Sequence, residues 1–181
     1  GFAFVEAALE HLGVCYTVDQ VERARIPATG RMLIVANHPS GAIDALALLH
    51  LVGSVRRDVK IVANDLLCGL DGLRELLLPL RILGGRPSAD SLAAIEQALA
   101  NEECVIVFPA GEVSRLGWRG VSDTQWRRGC LRFARKTDTP VLPVKIRARN
   151  SAFFYGASAL YKPFGTALLP REVFARRDRR I

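Results

Sequence analysis

The sequence predicts a single α/β domain with a mostly parallel sheet flanked by helices. Three observations carry that expectation. Short, continuously apolar runs rich in β-branched residues recur at 32–36 (MLIVA) and 104–108 (CVIVF), as strands covered on both faces require. Stretches of helical character separate such runs, the pattern of βαβ units. At 181 residues and 50% hydrophobic, the chain is long enough to bury one substantial core without staples.

Taken in order, residues 2–12 read as an amphipathic helix. Residues 32–36 form the first buried strand and 43–53 an Ala/Leu-rich helix, these being strong helix formers. VKIVA at 59–63 is the next strand. An apolar stretch at 66–78 reads as helical or irregular, followed by a short strand at 81–83 and a helix at 90–100. The strand at 104–108 comes next. The helix expected at 124–136 sorts its residues, with Trp126, Cys130, Phe133 and Ala134 on an apolar face and Arg128, Arg132 and Arg135 opposite. A strand at 141–147 closes the core. This divides the chain into a lead-in (1–30), an α/β core carrying the chemistry (31–148) and a C-terminal extension (149–181), with no internal repeat, low-complexity tract or linker.

The most informative segment is MLIVANHPSGAIDALAL, 32–48. A strand delivers Asn37 and His38 into a Pro-Ser-Gly turn, and six residues after His38 stands Asp44, at the start of the next helix. A carboxylate beside an imidazole fixes its tautomer and stabilises the imidazolium as it forms, the equipment for taking a proton from a hydroxyl at neutral pH. The plainer reading is a helix cap beside a surface histidine. A second polar motif, FPAGEVSR at 108–115, also follows a buried strand. Pro109 and Gly111 break that strand, and Glu112, Ser114 and Arg115 then emerge where ligands bind in open α/β sheets, outside the carboxyl ends of strands. The expectation is that both motifs face one cleft.

These blocks resemble the glycerophospholipid acyltransferases related to lysophosphatidic acid acyltransferase. Asn37, His38 and Asp44 match the family's first block, and Phe108, Pro109, Gly111 and Ser114 its third. RILGGR at 81–86 resembles the block between them, with Arg86 as the counterpart of its arginine. VLPVKI at 141–146 looks like the fourth. The order is the family's, and the span is 37–146. The spacer from His38 to Asp44 is one residue longer than the commonest family spacing and matches HPxGxxD, as in the bacterial haemolysin-like and ornithine-lipid acyltransferase-like subgroup. Ala110 stands where the family usually has glutamate, with Glu112 two places later, and Arg115 is one place beyond the usual arginine.

The resemblance implies an O-acyltransferase. His38 would take the proton from an acceptor hydroxyl as it attacks an acyl thioester, Asp44 would hold the ring, and amides of the 38–44 turn or the 108–114 loop would meet the oxyanion. Asn37, Gly111, Glu112 and Ser114 are the remaining candidate substrate-binding residues, and Arg86 and Arg115 are candidates for a phosphate or carboxylate. The implied co-substrates are acyl-CoA or acyl carrier protein as donor and a lysophospholipid-type acceptor, with no cofactor. Ser40 and Ser114 sit in no Gly-x-Ser-x-Gly elbow and read as turn hydroxyls.

A net charge of +7 with pI near 9.7 calls for an acidic partner. An anionic membrane surface fits, with the chain peripheral on the cytoplasmic inner face of the cell membrane. Nucleic acid is not expected, since the basic cluster at 176–180 lacks interleaved aromatics and reads as a frayed terminus. No stretch approaches the roughly 18 to 20 apolar residues of a spanning helix, no signal peptide is visible, and the opening glycine suggests a fragment. Cys15, Cys68, Cys104 and Cys130 lack metal-type spacing and read as free thiols. His11, His50 and Lys145 read as packed or surface residues, while Asn64 and Asp65 sit at another strand end. Two other classes remain: a non-catalytic lipid-binding domain, and a metal-dependent ester hydrolase, for which no third histidine ligand with sensible spacing is found.

Overall fold

The computed structural model describes residues 1–64, 67, 69–80, 87–118, 120–160, 168, 169, 171, 172, 179 and 180. In chain order the elements are α1 (Phe2–His11), β1 (Val14–Cys15), α2 (Gln20–Arg23), β2 (Met32–Ala36), α3 (Ala42–Gly53) and β3 (Val59–Asn64). A 3-10 helix (Asp71–Leu76) leads into β4 (Leu77–Leu80), then come α4 (Ala89–Ala100), β5 (Cys104–Val107), β6 (Arg115–Gly117) and β7 (Gly120–Ser122). The remainder are α5 (Gly129–Thr137), β8 (Val141–Val144), α6 (Ala152–Leu160) and β9 (Arg179–Arg180).

Five strands form one sheet in the order β4-β3-β5-β2-β8, all pairs parallel. Alternation along each strand loads both faces. Ile34, Ala36, Ile61, Cys104 and Ile106 pack under α1 and α3 with Val5, Leu9, Ile43 and Leu49. Leu33, Val35, Val62 and Val105 face α4 and α5 with Ile95, Leu99, Cys130 and Phe133. Side chains two apart share a face, so these apolar runs can be buried only if helices cover both sides. The α1 helix belongs to this core: a Cβ on Gly53 of α3 would come within 2.3 Å of the Phe2 ring. Proline falls on both edge strands, Pro79 on β4 and Pro143 on β8, where a missing N–H leaves no interior ladder bond unmade.

A buried cation ties the amino ends of the strands together. Arg56, only 4% exposed, donates Nε to Asp58 Oδ1 at 2.7 Å and Nη2 to Asp58 Oδ2 at 2.6 Å. Its remaining N–H groups reach the carbonyls of Gly30 (2.7 Å), Pro27 (3.3 Å) and Glu102 (2.9 Å). Asp58 immediately precedes β3, Gly30 and Glu102 lie two residues before β2 and β5, and Pro27 lies on the approach to β2. Beside it, Glu102 accepts from the Arg31 amide at 2.9 Å and from Arg31 Nε at 2.8 Å.

The structure corrects several sequence expectations. Residues 77–80 form an edge strand, whose first two residues fall in the stretch 66–78 read as helical or irregular, while the strand expected at 81–83 lies outside the described residues. The helix expected at 124–136 starts only at Gly129, and Trp126 lies in the preceding loop rather than on its apolar face. The β6–β7 hairpin was not anticipated. Arg179 and Arg180, expected to fray, pair in parallel with Val14 and Cys15. The strand expected over 141–147 stops pairing at Val144.

Two outcomes follow from these contacts. Replacing Arg56 by alanine leaves three carbonyls without their donor and Asp58 without its partner, so urea denaturation will show a loss of about 3 kcal/mol. The Arg56 guanidinium also holds the Asp58 carboxyl below its ordinary range. That contribution is present above the unfolded pKa near ~4 and is lost as pH falls through the folded value, so the variant will show a flatter acid limb. Separately, burial pushes the Cys104 thiol up to about 12 and raises that of Cys130. Alkylation followed by peptide mapping will therefore label exposed Cys15 in the folded protein and reach Cys104 and Cys130 only on unfolding.

Candidate active site

Because β5, β2 and β8 are adjacent and parallel, their carboxyl ends open on one edge of the sheet. The two motifs leave the neighbouring strands β2 and β5, and this brings them together. Gly41 makes the first turn possible, since its φ of +89° favours glycine. A Cβ there would lie 3.3 Å from Val113 of the second motif.

Asp44 lies in the first turn of α3 and is fully buried. Its carboxylate accepts from the amides of Ser40 (2.7 Å) and Gly41 (3.0 Å) and from the Ser40 hydroxyl. His38 Nδ1 lies 3.2 Å from Asp44 Oδ2, off the axis of a linear hydrogen bond. The imidazole stacks on Phe108, with centroids 4.0 Å apart and planes at 22°. Its side chain is 18% exposed. One ring edge thus faces a carboxylate and one ring face an aromatic, which fixes the plane and leaves Nε2 as the nitrogen for a proton acceptor role.

Sequence reading missed Asp123. This carboxylate accepts from the His38 amide at 3.2 and 3.3 Å, from the Ser114 hydroxyl, and from Trp126 Nε1 at 2.9 Å. The Ser114 amide donates to the His38 carbonyl at 2.8 Å. Asp123 therefore fastens both motifs to each other through the loop after β7. A signal was present: Asp123 is the lone acidic residue from 113 through 137, among seven basic ones.

The other candidates divide. Asn37 Nδ2 donates to the Ile146 carbonyl at 2.9 Å, and the Ile146 amide donates to Asn37 Oδ1 at 2.6 Å. The side chain thereby extends the β2–β8 pairing past its last backbone rung. Ser114 is buried against Asp123, consistent with a turn hydroxyl. Arg115 turns toward α6: Nη1 donates to Ser158 Oγ at 2.8 Å, Nε lies 3.6 Å from Glu112, and the guanidinium sits 5.5 Å from the Phe154 ring. Gly111 takes a φ of +71° at the bend of the loop. Arg86 and Asp65 lie outside the described residues. The amides expected to meet an oxyanion are partly engaged, those of Ser40 and Gly41 by Asp44, that of His38 by Asp123, and those of Gly111 and Ser114 by carbonyls.

A groove of about 1070 Å³ opens beside the site, lined by Asn37, Pro39, Ser114, Asp123, Trp126 and the segment 143–149. The imidazole of His38 is not part of its wall, although residues on either side of it are. Lys145, read as solvent-facing, is exposed and lines the groove with Arg147 and Arg149. Away from the site, His50 Nδ1 lies 2.7 Å from the Tyr16 hydroxyl. No group of three or more His, Cys, Asp or Glu residues suited to a metal ion occurs among the described residues.

Comparison with known proteins identifies the family. The model of an acyltransferase family matches residues 2–178. The chain is 32% identical over 166 residues to a lyso-glycine lipid O-acyltransferase of Phocaeicola vulgatus, covering 91% of this chain and 58% of the relative. It is likewise 32% identical over 166 residues to a lyso-glycine lipid O-acyltransferase of Bacteroides thetaiotaomicron, covering 91% of this chain and 60% of the relative. The chain thus spans about three-fifths of the length of these curated relatives. No solved structure matches. With the family model covering nearly the whole chain and relatives aligned over most of it, this α/β domain belongs to the acyltransferase family.

Proposed function

We propose that the protein moves a fatty acyl group from an acyl thioester to the hydroxyl of a lyso-lipid, with His38 as general base oriented by Asp44. The observation that carries this reading is the buried Asp44 carboxylate, 3.2 Å from Nδ1 of a partly exposed imidazole. With Nδ1 facing the carboxylate, Nε2 takes the proton of the acceptor hydroxyl as that oxygen attacks the thioester carbonyl. The tetrahedral adduct collapses by breaking the C–S bond, and the departing thiolate recovers the proton from His38. The ester forms without an acyl-enzyme. Because several turn amides are engaged internally, the oxyanion falls to remaining amides of the 108–114 loop.

The names of the relatives favour a glycine-headed lyso-lipid as acceptor over 1-acylglycerol-3-phosphate. The donor is acyl-CoA or acyl carrier protein, both acidic and suited to the exposed Lys145, Arg147 and Arg149. No helix among the described residues is long and apolar enough to cross a membrane, and the same cations support contact with an anionic surface on the inner face of the cell membrane. Chemistry carried by His38 and Asp44 needs neither metal nor cofactor.

A thiol-release assay with acyl-CoA or acyl carrier protein and lyso-glycine lipid tests this. His38→Ala will lower kcat by about 10³-fold while lipid binding persists, and a chelator will leave the wild-type rate unchanged. Full transferase activity in His38→Ala would sink the assignment, and metal-dependent ester cleavage would favour a hydrolase. Asp123→Asn, which weakens the clamp without removing the base, will lower kcat/KM by about tenfold.

A further inference from the structure

We propose that the β6–β7 hairpin is a membrane-insertion element that places the mouth of the groove on an anionic phospholipid bilayer. The inference rests on the lipid-acylating reading and adds the element that contacts the membrane. Leu116 and Trp118 stand on this hairpin at 51% and 107% exposure. Gly117 pairs with Gly120, Trp118 follows Gly117 where the chain turns back, and Gly120 has a φ of +92°. Hairpin turns ordinarily carry Asn, Asp or Gly. The fully exposed indole there has no hydrogen bond or ring contact among the described residues, and Trp is the side chain that favours the bilayer interface, with an apolar body and one N–H for the headgroup layer.

The surroundings supply the charge that an anionic surface requires. Val121 and Ser122 of β7 line the same groove as Lys145, Arg147 and Arg149, so hairpin and cationic strip flank one opening. Each such cation at an anionic surface strengthens partitioning about fivefold. The base of the hairpin is anchored: Arg115 donates to the buried Ser158 of α6, and Asp123, next after β7, holds the His38 loop. A base held in this way lets the exposed Trp118 indole enter the interface without disturbing the site. A soluble acidic carrier protein would use the cations but has no need of a protruding indole.

The test uses the intact protein and vesicles of phosphatidylglycerol and phosphatidylcholine with brominated acyl chains. The difference in emission between wild type and Trp118→Phe reports Trp118 against the background of Trp126. The expected result is quenching of the Trp118 component, together with about tenfold weaker vesicle partitioning of Leu116→Ser/Trp118→Ser and an unchanged rate on a water-soluble short-chain acceptor. Normal vesicle binding with Trp118 unquenched overturns the hairpin assignment while leaving the lipid-acylating reading intact. Vesicle binding absent, with Trp118 emission shifted by acyl carrier protein, overturns it in favour of protein docking. Loss of the short-chain rate in His38→Ala is the separate measure of the underlying reading.

Discussion

The buried charge of Asp44 is the constraint on which the site depends. A carboxylate withdrawn from water costs several kcal/mol unless donors surround it. Here the donors come from Ser40 and Gly41, with His38 Nδ1 at ion-pair distance. Meeting that charge dictates the path of the turn, and glycine at 41 supplies the backbone conformation the path demands. The carboxylate that caps α3 is the one that faces the imidazole, so the plain helix-cap reading of the sequence does not exclude the catalytic role proposed for the pair.

The sheet places this turn by holding its strands at both ends. Arg56 gathers the carbonyls that precede β2 and β5 and the Asp58 carboxylate that precedes β3, all at the amino end. At the carboxyl end backbone pairing runs out, and side chains take over: Asn37 bridges to Ile146, and Asp123 binds the His38 amide and the Ser114 hydroxyl. The two carboxylates differ in what they hold. Asp44 faces the ring of His38, whereas Asp123 fixes its backbone and joins it to the second motif. With Phe108 against the ring face, little freedom remains to the imidazole.

What could be read from the sequence follows from how each element is stabilised. The strand at 32–36 was legible to the residue, and 104–108 to within one, because a strand covered on both faces has to be apolar throughout. The helices at 43–53 and 90–100 were legible to within one residue because apolar residues recur at helical spacing, buried nearly all round in the first and on one face in the second. The hairpin at 115–122 was not legible, because its strands cover little core and present no long alternating pattern. Trp126 was assigned to a helix face from its spacing to Cys130 and Phe133, but its N–H is held by Asp123 outside the helix, a tertiary bond that periodicity cannot reveal. In the site, His38 and Asp44 were visible as a local pair. Asp123 was not, since it lies 85 residues from His38 and acts on backbone.

The segment 143–149 shows how a correct periodicity can coexist with a wrong boundary. Pairing stops at Val144, yet alternation continues: Pro143, Lys145, Arg147 and Arg149 are exposed, while Val144, Ile146 and Ala148 are half-buried. All seven line the groove. Asn37 supplies at Ile146 the pair of hydrogen bonds that a further rung would have made. The resulting wall has cationic and apolar parts in period two, with Val121 and Trp126 adding apolar surface. A purely polar ligand would leave the apolar parts wet, and a bare hydrocarbon would leave the cations without counterions. An amphiphile with an acidic head and an acyl chain would satisfy both, so the composition of this wall supports the proposed lipid-acylating reading.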